Sequence, residues 1–349
     1  MRNTILMLLA LGVLAPVQAA AQGPADRFAV HGFLTQGFGV SESEPVLGIG
    51  TKPTADYRTA ALQFRYDISP EGQLVLQLSH RRLGNSPIMA IEKEIELNWA
   101  FYRHRFGPVS VRAGRFPAAK GIYNEVRTVG TVLPTFRAPI SIYSDGTETV
   151  DGVGVAWRLE LGAWSTETEA YVGGMEYKAV FFTPAEPILY VYRGERNHGG
   201  QFWLNTPKAG VRLGLGGIRF EEPTRWGHAW QASLDADLDR ALARAEYVYV
   251  NATEVDVWAG YVQGRFKVTE KIHAVAEWQL GDIEFKLPFP VARMRLHEDR
   301  ALGLNYMPAA NLVFKIEAHD SEGYGYERFI PPGPIPTNRH VIASVSVSF

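Results

Sequence analysis

Val341-Ile342-Ala343-Ser344-Val345-Ser346-Val347-Ser348-Phe349 closes the chain. Successive side chains of a strand point to opposite faces, so Ala343, Val345, Val347 and Phe349 share one face and Ser344, Ser346 and Ser348 the other. An apolar face backed by a small polar one is how a strand reads between lipid and an aqueous lumen. The same alternation recurs upstream. Leu74, Leu76 and Leu78 oppose Gln73, Gln77 and Ser79; Ile95, Leu97, Trp99 and Phe101 oppose Glu94, Glu96, Asn98 and Tyr102. Ala274, Ala276, Trp278 and Leu280 oppose His273, Glu277 and Gln279; Leu312, Phe314, Ile316 and Ala318 oppose Lys315, Glu317 and His319. Charges at every second position are costly against lipid, so they are expected to face a wet interior.

Strand-like stretches fall near 28–40, 56–68, 73–82, 94–106, 108–116, 150–160, 165–177, 198–206, 210–221, 228–237, 240–250, 256–267, 272–281, 299–307, 311–319 and 340–349. This rhythm predicts an all-β, transmembrane antiparallel barrel of 16 strands, closed by the last strand against the first. An open edge in hydrocarbon would leave unpaired amides, each costing several kcal/mol. Tight connectors such as Ser69-Pro70-Glu71-Gly72 and Phe106-Gly107-Pro108 alternate with long ones near 41–55, 83–93, 117–149, 178–197, 282–298 and 320–339. The tight turns are assigned to the periplasmic side and the long loops to the outside.

Met1-Arg2-Asn3, an apolar run from Ile5 to Ala15 and small residues around Ala19 and Ala21 read as a secretory signal peptide, with residues 1–21 removed and 22–349 forming the barrel. The run is shorter than the roughly 20 apolar residues a membrane helix needs. Zero Cys rules out disulfide stapling. A net charge of -2 argues against nucleic acid as a partner. The nine His show no HExxH motif and no ligand-like spacing, so neither metal nor cofactor is expected.

The longest connector carries Gly114-Arg115-Phe116-Pro117, then Gly121-Ile122-Tyr123-Asn124-Glu125-Val126-Arg127, then Phe136-Arg137-Ala138-Pro139. A loop of more than about 15 residues in a compact chain is normally functional. Over about 114–143 this pattern resembles Gram-negative outer-membrane porins, loosely the phosphate-selective type, although Lys120 is the only Lys in the loop. The resemblance implies a third external loop folded inward to narrow the pore. Lys120, Arg127 and Arg137 would line one wall and Glu125, with Asp145, another, while Tyr123 and Asn124 would fix the loop. Opposed charges in a narrow pore set up a transverse field that sorts solutes by charge. On the barrel wall the inward candidates are Arg65, Arg81, Arg112, Arg158, Arg244, Glu277 and Lys315, joined by Glu94, Glu96, Glu246 and Glu317.

Tyr57, Phe106, Phe116, Trp164, Tyr171, Trp230, Tyr249, Trp258, Trp278 and Tyr306 read as an interfacial girdle. Tyr123, Phe136 and Tyr143 could instead form an aromatic track for sugars. Sixteen strands leave a channel where eight would fill. The expected function is therefore passive diffusion of small hydrophilic solutes, with 26 Arg against nine Lys tilting it towards anions. The alternatives are a non-conducting structural or adhesive barrel and a barrel hydrolase, for which Ser79-His80 and His319-Asp320-Ser321 supply residue types. The resemblance implies the outer membrane as location and a homotrimer as assembly. Its implied partners are outer-membrane lipid, lipopolysaccharide and the barrel-assembly machinery, the last reading Phe349.

Overall fold

The computed structural model describes residues 27–86, 89, 94–143, 148–182, 187–286, 293–323, 335 and 337–349; the signal segment and Asp145 lie outside them. The first eight strands are β1 (Phe28–Ser41), β2 (Thr54–Asp67), β3 (Gly72–Leu83), β4 (Glu96–Phe106), β5 (Val109–Pro117), β6 (Thr149–Leu161), β7 (Trp164–Phe182) and β8 (Pro187–Asn205). The others are β9 (Val211–Glu221), β10 (Trp226–Asp237), β11 (Ala241–Asn251), β12 (Val255–Lys267), β13 (Ile272–Phe285), β14 (Arg293–Ala309), β15 (Leu312–Gly323) and β16 (Thr337–Ser348). Each pairs with its sequence neighbour, and β1 pairs antiparallel with β16 from Phe33–Ser348 to Ser41–His340. The sheet is a closed 16-stranded antiparallel barrel, as the alternation predicts.

Burial is inverted relative to a water-soluble protein. Leu76, Leu215, Val262, Leu302, Ile316 and Val341 are exposed on one register, while Gln77, Glu246, Gln263, Glu277, Lys315 and Ser346 are buried on the other. Apolar side chains can stay exposed at no cost only where the surrounding medium is itself apolar. The described residues include no helix long and apolar enough to cross a membrane.

Three sequence readings need correction. A bulge where Gln77 pairs with Trp99 but Leu78 with Leu97 inserts one residue into β4. An extra residue flips every later side chain to the opposite face. Phe101, expected outside, therefore packs inward against Phe116, with ring centroids 6.3 Å apart. The segment 178–197, expected as a loop, is mostly strand: β7 and β8 extend as a hairpin to the Phe182–Pro187 pair. Likewise β13 and β14 occupy much of 282–298, with Glu284 paired to Arg293.

Candidate functional site

The connector between β5 and β6 is pinned at its neck. Ala118 N donates to Glu148 O at 3.0 Å, and Asn124 Nδ2 donates to Ala118 O at 2.8 Å and Glu148 O at 2.9 Å. A single buried amide thus ties both ends of a 30-residue excursion. Beyond the neck, Gly121 takes φ of 60°, a region that glycine enters without penalty. A Cβ there would sit 2.1 Å from Tyr143 Oη. Its absence lets Ile122 N and Tyr123 N donate to that hydroxyl at 2.7 and 3.0 Å.

The excursion then bonds to the polar register of the far wall. Tyr143 Oη donates to Glu246, which also accepts from Ser233 Oγ (2.6 Å), Tyr261 Oη (2.8 Å), Gln231 Nε2 (2.9 Å) and Ile122 N (3.1 Å). Tyr123 Oη donates to Gln263 and accepts from Arg244 Nη1 at 2.9 Å. Ser141 N donates to Gln279 Oε1 at 3.1 Å, and Lys315 Nζ donates to Leu133 O and Thr135 O, both at 2.7 Å. Arg137 Nη1 donates to Tyr57 Oη at 3.1 Å on β2, and Phe136 stacks on Tyr57 with centroids 4.9 Å apart. Buried polar groups need such partners because each unmet one costs about 1–3 kcal/mol.

These anchors divide the residues expected at the constriction. Lys120, Asn124 and Glu125 line a chamber of about 790 Å³ together with Arg103, Arg105, Arg158, Glu167, Glu169 and Arg212. Arg127 and Arg137 lie on the other side of the excursion, where they share with Arg81 and Thr35 a void of only about 40 Å³. Arg127 is the more enclosed, its Nη2 donating to Tyr143 O at 2.7 Å and lying 3.4 Å from Glu148. Burial, with Arg127 nearby, pulls the Lys120 ammonium down to about 8. Burial pushes the Tyr123 and Tyr143 hydroxyls up, and Glu246 lying against Tyr143 acts in the same direction.

The wall candidates have two fates. Glu277 and Lys315 are buried anchors and Arg244 a half-buried one: Arg244 Nε donates to Asp235 at 2.8 Å, and Glu277 accepts from Gln279 Nε2 at 3.0 Å and Thr135 Oγ1 at 3.3 Å. Arg65, Arg81, Arg112 and Arg158 pair with Asp67 (3.5 Å), Glu148 (3.4 Å), Glu125 (3.3 Å) and Glu167 (3.1 Å) respectively, and Arg158 also with Glu160 at 2.7 Å. Arg112 also pairs with Glu169 and lies over Phe116, 4.7 Å from the centroid. Glu96 pairs with Lys178 at 3.0 Å.

Sequence reasoning missed Glu148, Glu169, Asp235 and Tyr143 as partners, since nothing in their spacing says which strand lies opposite. It also missed that Asp299, His319 and His340, on β14, β15 and β16, each bring a ligand-type atom within 4.8 Å of the others. Among the girdle aromatics, Trp164, Trp230, Trp278, Tyr306 and Phe106 are exposed, but Tyr57, Phe116 and Tyr171 are buried by neighbouring side chains. Tyr123, Phe136 and Tyr143 are buried as well, so their faces serve packing and offer no sugar track.

No protein-family model matches this chain, and no curated protein does. Among solved structures it is similar to OmpF of Salmonella typhi, with 9% identity, TM-score 0.65, and 92% of this chain and 97% of that one covered. The anion-selective porin from Comamonas acidovorans matches with 8% identity and TM-score 0.59, covering 92% and 99%. OmpT, an outer membrane protein of Vibrio cholerae, matches in its trimer form with 10% identity and TM-score 0.54, covering 92% and 99%. At such identities the likeness is one of fold: a porin-type barrel spanning nearly all of each chain.

Proposed function

We propose that this protein is an outer-membrane channel for passive diffusion of small hydrophilic solutes, with a preference for anions. The observation that carries the reading is the 790 Å³ chamber between the anchored excursion and β4–β9. Its lining holds five cationic side chains, Arg103, Arg105, Lys120, Arg158 and Arg212, against Glu125, Glu167 and Glu169. Several of these charges cancel: Arg158 pairs with Glu167, and Arg212 with Asp235 at 2.9 Å. Arg103 donates to the neutral Gln73 and forms no close ion pair among the described residues, which leaves its guanidinium available to a passing anion.

In this reading the excursion from 118 to 148 is the constriction loop. Its hydrogen bonds run to β2 and to β11–β16, and the chamber lies on the side of β4–β9. Lys120 and Glu125 are the loop charges that a solute meets, while Arg127 and Arg137 hold the loop's back against the wall. An outer-membrane location and a trimeric assembly belong to the same proposal, supported by the exposed apolar register and by the fold of the trimeric neighbour. The serine that a barrel hydrolase would draw on, Ser321, donates to the Asp299 carboxylate rather than to an imidazole. The reading is tested by reconstituting the purified protein in planar bilayers, where stepwise currents with an anion-side reversal potential are expected and a silent folded barrel would refute it.

A further inference from the structure

His319 and His340 face each other directly across the β15–β16 pair, and their rings stack with centroids 4.3 Å apart and planes 13° from parallel. Directly opposed residues on a sheet have Cβ atoms about 4.5–5.5 Å apart, so two imidazoles there can reach one common point. Asp299 on β14 joins them from the third strand, its Oδ2 2.8 Å from His319 Nδ1. That separation is a hydrogen bond as it stands; two ligands at about 2.1 Å from one tetrahedral cation lie about 3.4 Å apart, so a bound cation would replace the bond and widen the gap by about 0.6 Å.

The surroundings orient each group towards the shared point. Ser321 Oγ donates to Asp299 Oδ1 at 2.5 Å, which leaves Oδ2 as the carboxylate's inward atom. Glu317 Oε2 lies 3.4 Å from His319 Nε2, on the side of the ring away from Asp299; a cation at Nδ1 would take the place of the proton shared there with Asp299. A carboxylate behind the distal nitrogen of a histidine is the arrangement that steadies metal-ligating imidazoles. His340 is 4% exposed, and its Nδ1 is buried with no hydrogen-bond partner among the described residues; Glu317 Oε1 is likewise buried and unmet. Buried polar atoms without partners are rare enough to ask what completes them.

We propose that Asp299, His319 and His340 bind one divalent first-row transition cation of the zinc type, with Glu317 and Ser321 as its supporting shell. Two imidazole nitrogens and one carboxylate oxygen favour such a cation over Mg²⁺ or Ca²⁺, which take oxygen ligands. Bound there, it would tie β14, β15 and β16 together beside the seam where β16 meets β1.

The test uses the full-length, tag-free protein in detergent, freed of metal by chelation and titrated calorimetrically with Zn²⁺ and, separately, Mg²⁺. The expected result is one Zn²⁺ per chain and no comparable Mg²⁺ binding. His340→Ala and His319→Ala should weaken Zn²⁺ by at least tenfold, and Glu317→Gln by about 10- to 100-fold. His228→Ala on β10, away from the cluster, should leave it unchanged. Heat-modifiable mobility on gels confirms that each variant is folded. Because a variant can fail that check, crystals of the unaltered protein soaked in Zn²⁺ supply an independent readout: an anomalous peak between Asp299 and His340 supports the site. Absence of that peak, absence of Zn²⁺ binding, or stoichiometric binding unaffected by folded His340→Ala overturns the proposal.

Discussion

Phe349 closes the barrel on Gly32: Phe349 N donates to Gly32 O and Gly32 N donates to Phe349 O, both at 3.0 Å. The phenyl ring lies over the glycine so closely that a Cβ at Gly32 would stand 2.1 Å from it. The terminal aromatic thus extends the β1–β16 ladder by one more pair. The bare glycine lets the flat face of the ring lie against the backbone of β1.

Gly32→Ala should push the exposed Phe349 ring aside and lower the stability of the folded barrel by about 0.5 kcal/mol or less. Deleting Phe349 removes the final pair and should lower the amount of assembled protein in the outer membrane while export continues. Both effects are read from the temperature at which the barrel loses its compact mobility on gels. Unchanged midpoints in both variants would show that the seam does not depend on this contact.

The second prediction concerns Glu246. Five donors converge on its carboxylate, two of them, Tyr143 Oη and Ile122 N, from the loop. Glu246→Ala strands them at about 1–3 kcal/mol each and frees the loop from β11. Currents through the variant should become noisy and flicker between levels, whereas Glu167→Ala, at the edge of the chamber, should leave the noise unchanged. Equal noise in both would mean that the loop is held elsewhere.

Loop charge supplies the third. Lys120→Gln should move the reversal potential towards cations and Glu125→Gln towards anions, because both line the open chamber. Arg127→Gln should shift selectivity less and stability more, since its guanidinium serves Tyr143 O and Glu148 inside the loop. A larger selectivity shift from Arg127→Gln than from Lys120→Gln would reverse the assignment.

The fourth follows from the Lys120 ammonium, lowered to about 8 from 10.5 by burial beside Arg127. Its charge is lost as pH rises through about 8, so anion preference should fall between pH 7 and 9. Lys120→Arg, which stays charged, should abolish that decline. The stability effect has the opposite sense to that of a salt-bridged lysine. Between about pH 8 and 10.5 the unfolded chain holds the proton that the folded one has released, so this group's contribution to stability rises with pH across that window. A selectivity that is flat with pH in the unaltered protein would contradict the assignment.

Much of this architecture is legible in the sequence because a barrel in lipid repeats one instruction. Alternation of the kind seen in Ala343, Val345 and Val347 against Ser344 and Ser346 specifies strand, face and solvent together. What alternation cannot carry is a change of phase: the bulge at Gln77–Leu78 moves Phe101 inward with no mark in the residues themselves. Nor does it say how far a hairpin rises above the membrane, which is why β7 and β8 outrun the predicted strands. The loop motif marks the segment in which Asn124 bonds to Ala118 and Glu148 and Tyr123 bonds to Gln263. Which charges face the chamber depends on partners such as Glu148, Glu246 and Lys315, up to 182 positions away from the atoms they bond. The Asp299–His319–His340 cluster is hidden for the same reason, as its members meet only through strand register.

The most direct test of the central claim is the reversal potential of single channels of the unaltered protein in a planar bilayer under a KCl gradient. The account predicts discrete conductance steps that reverse on the chloride side of zero, reflecting Arg103 and Lys120 in an open, wet chamber. A barrel that is folded by its gel mobility yet passes no current, or one that reverses at the potassium side, would contradict it.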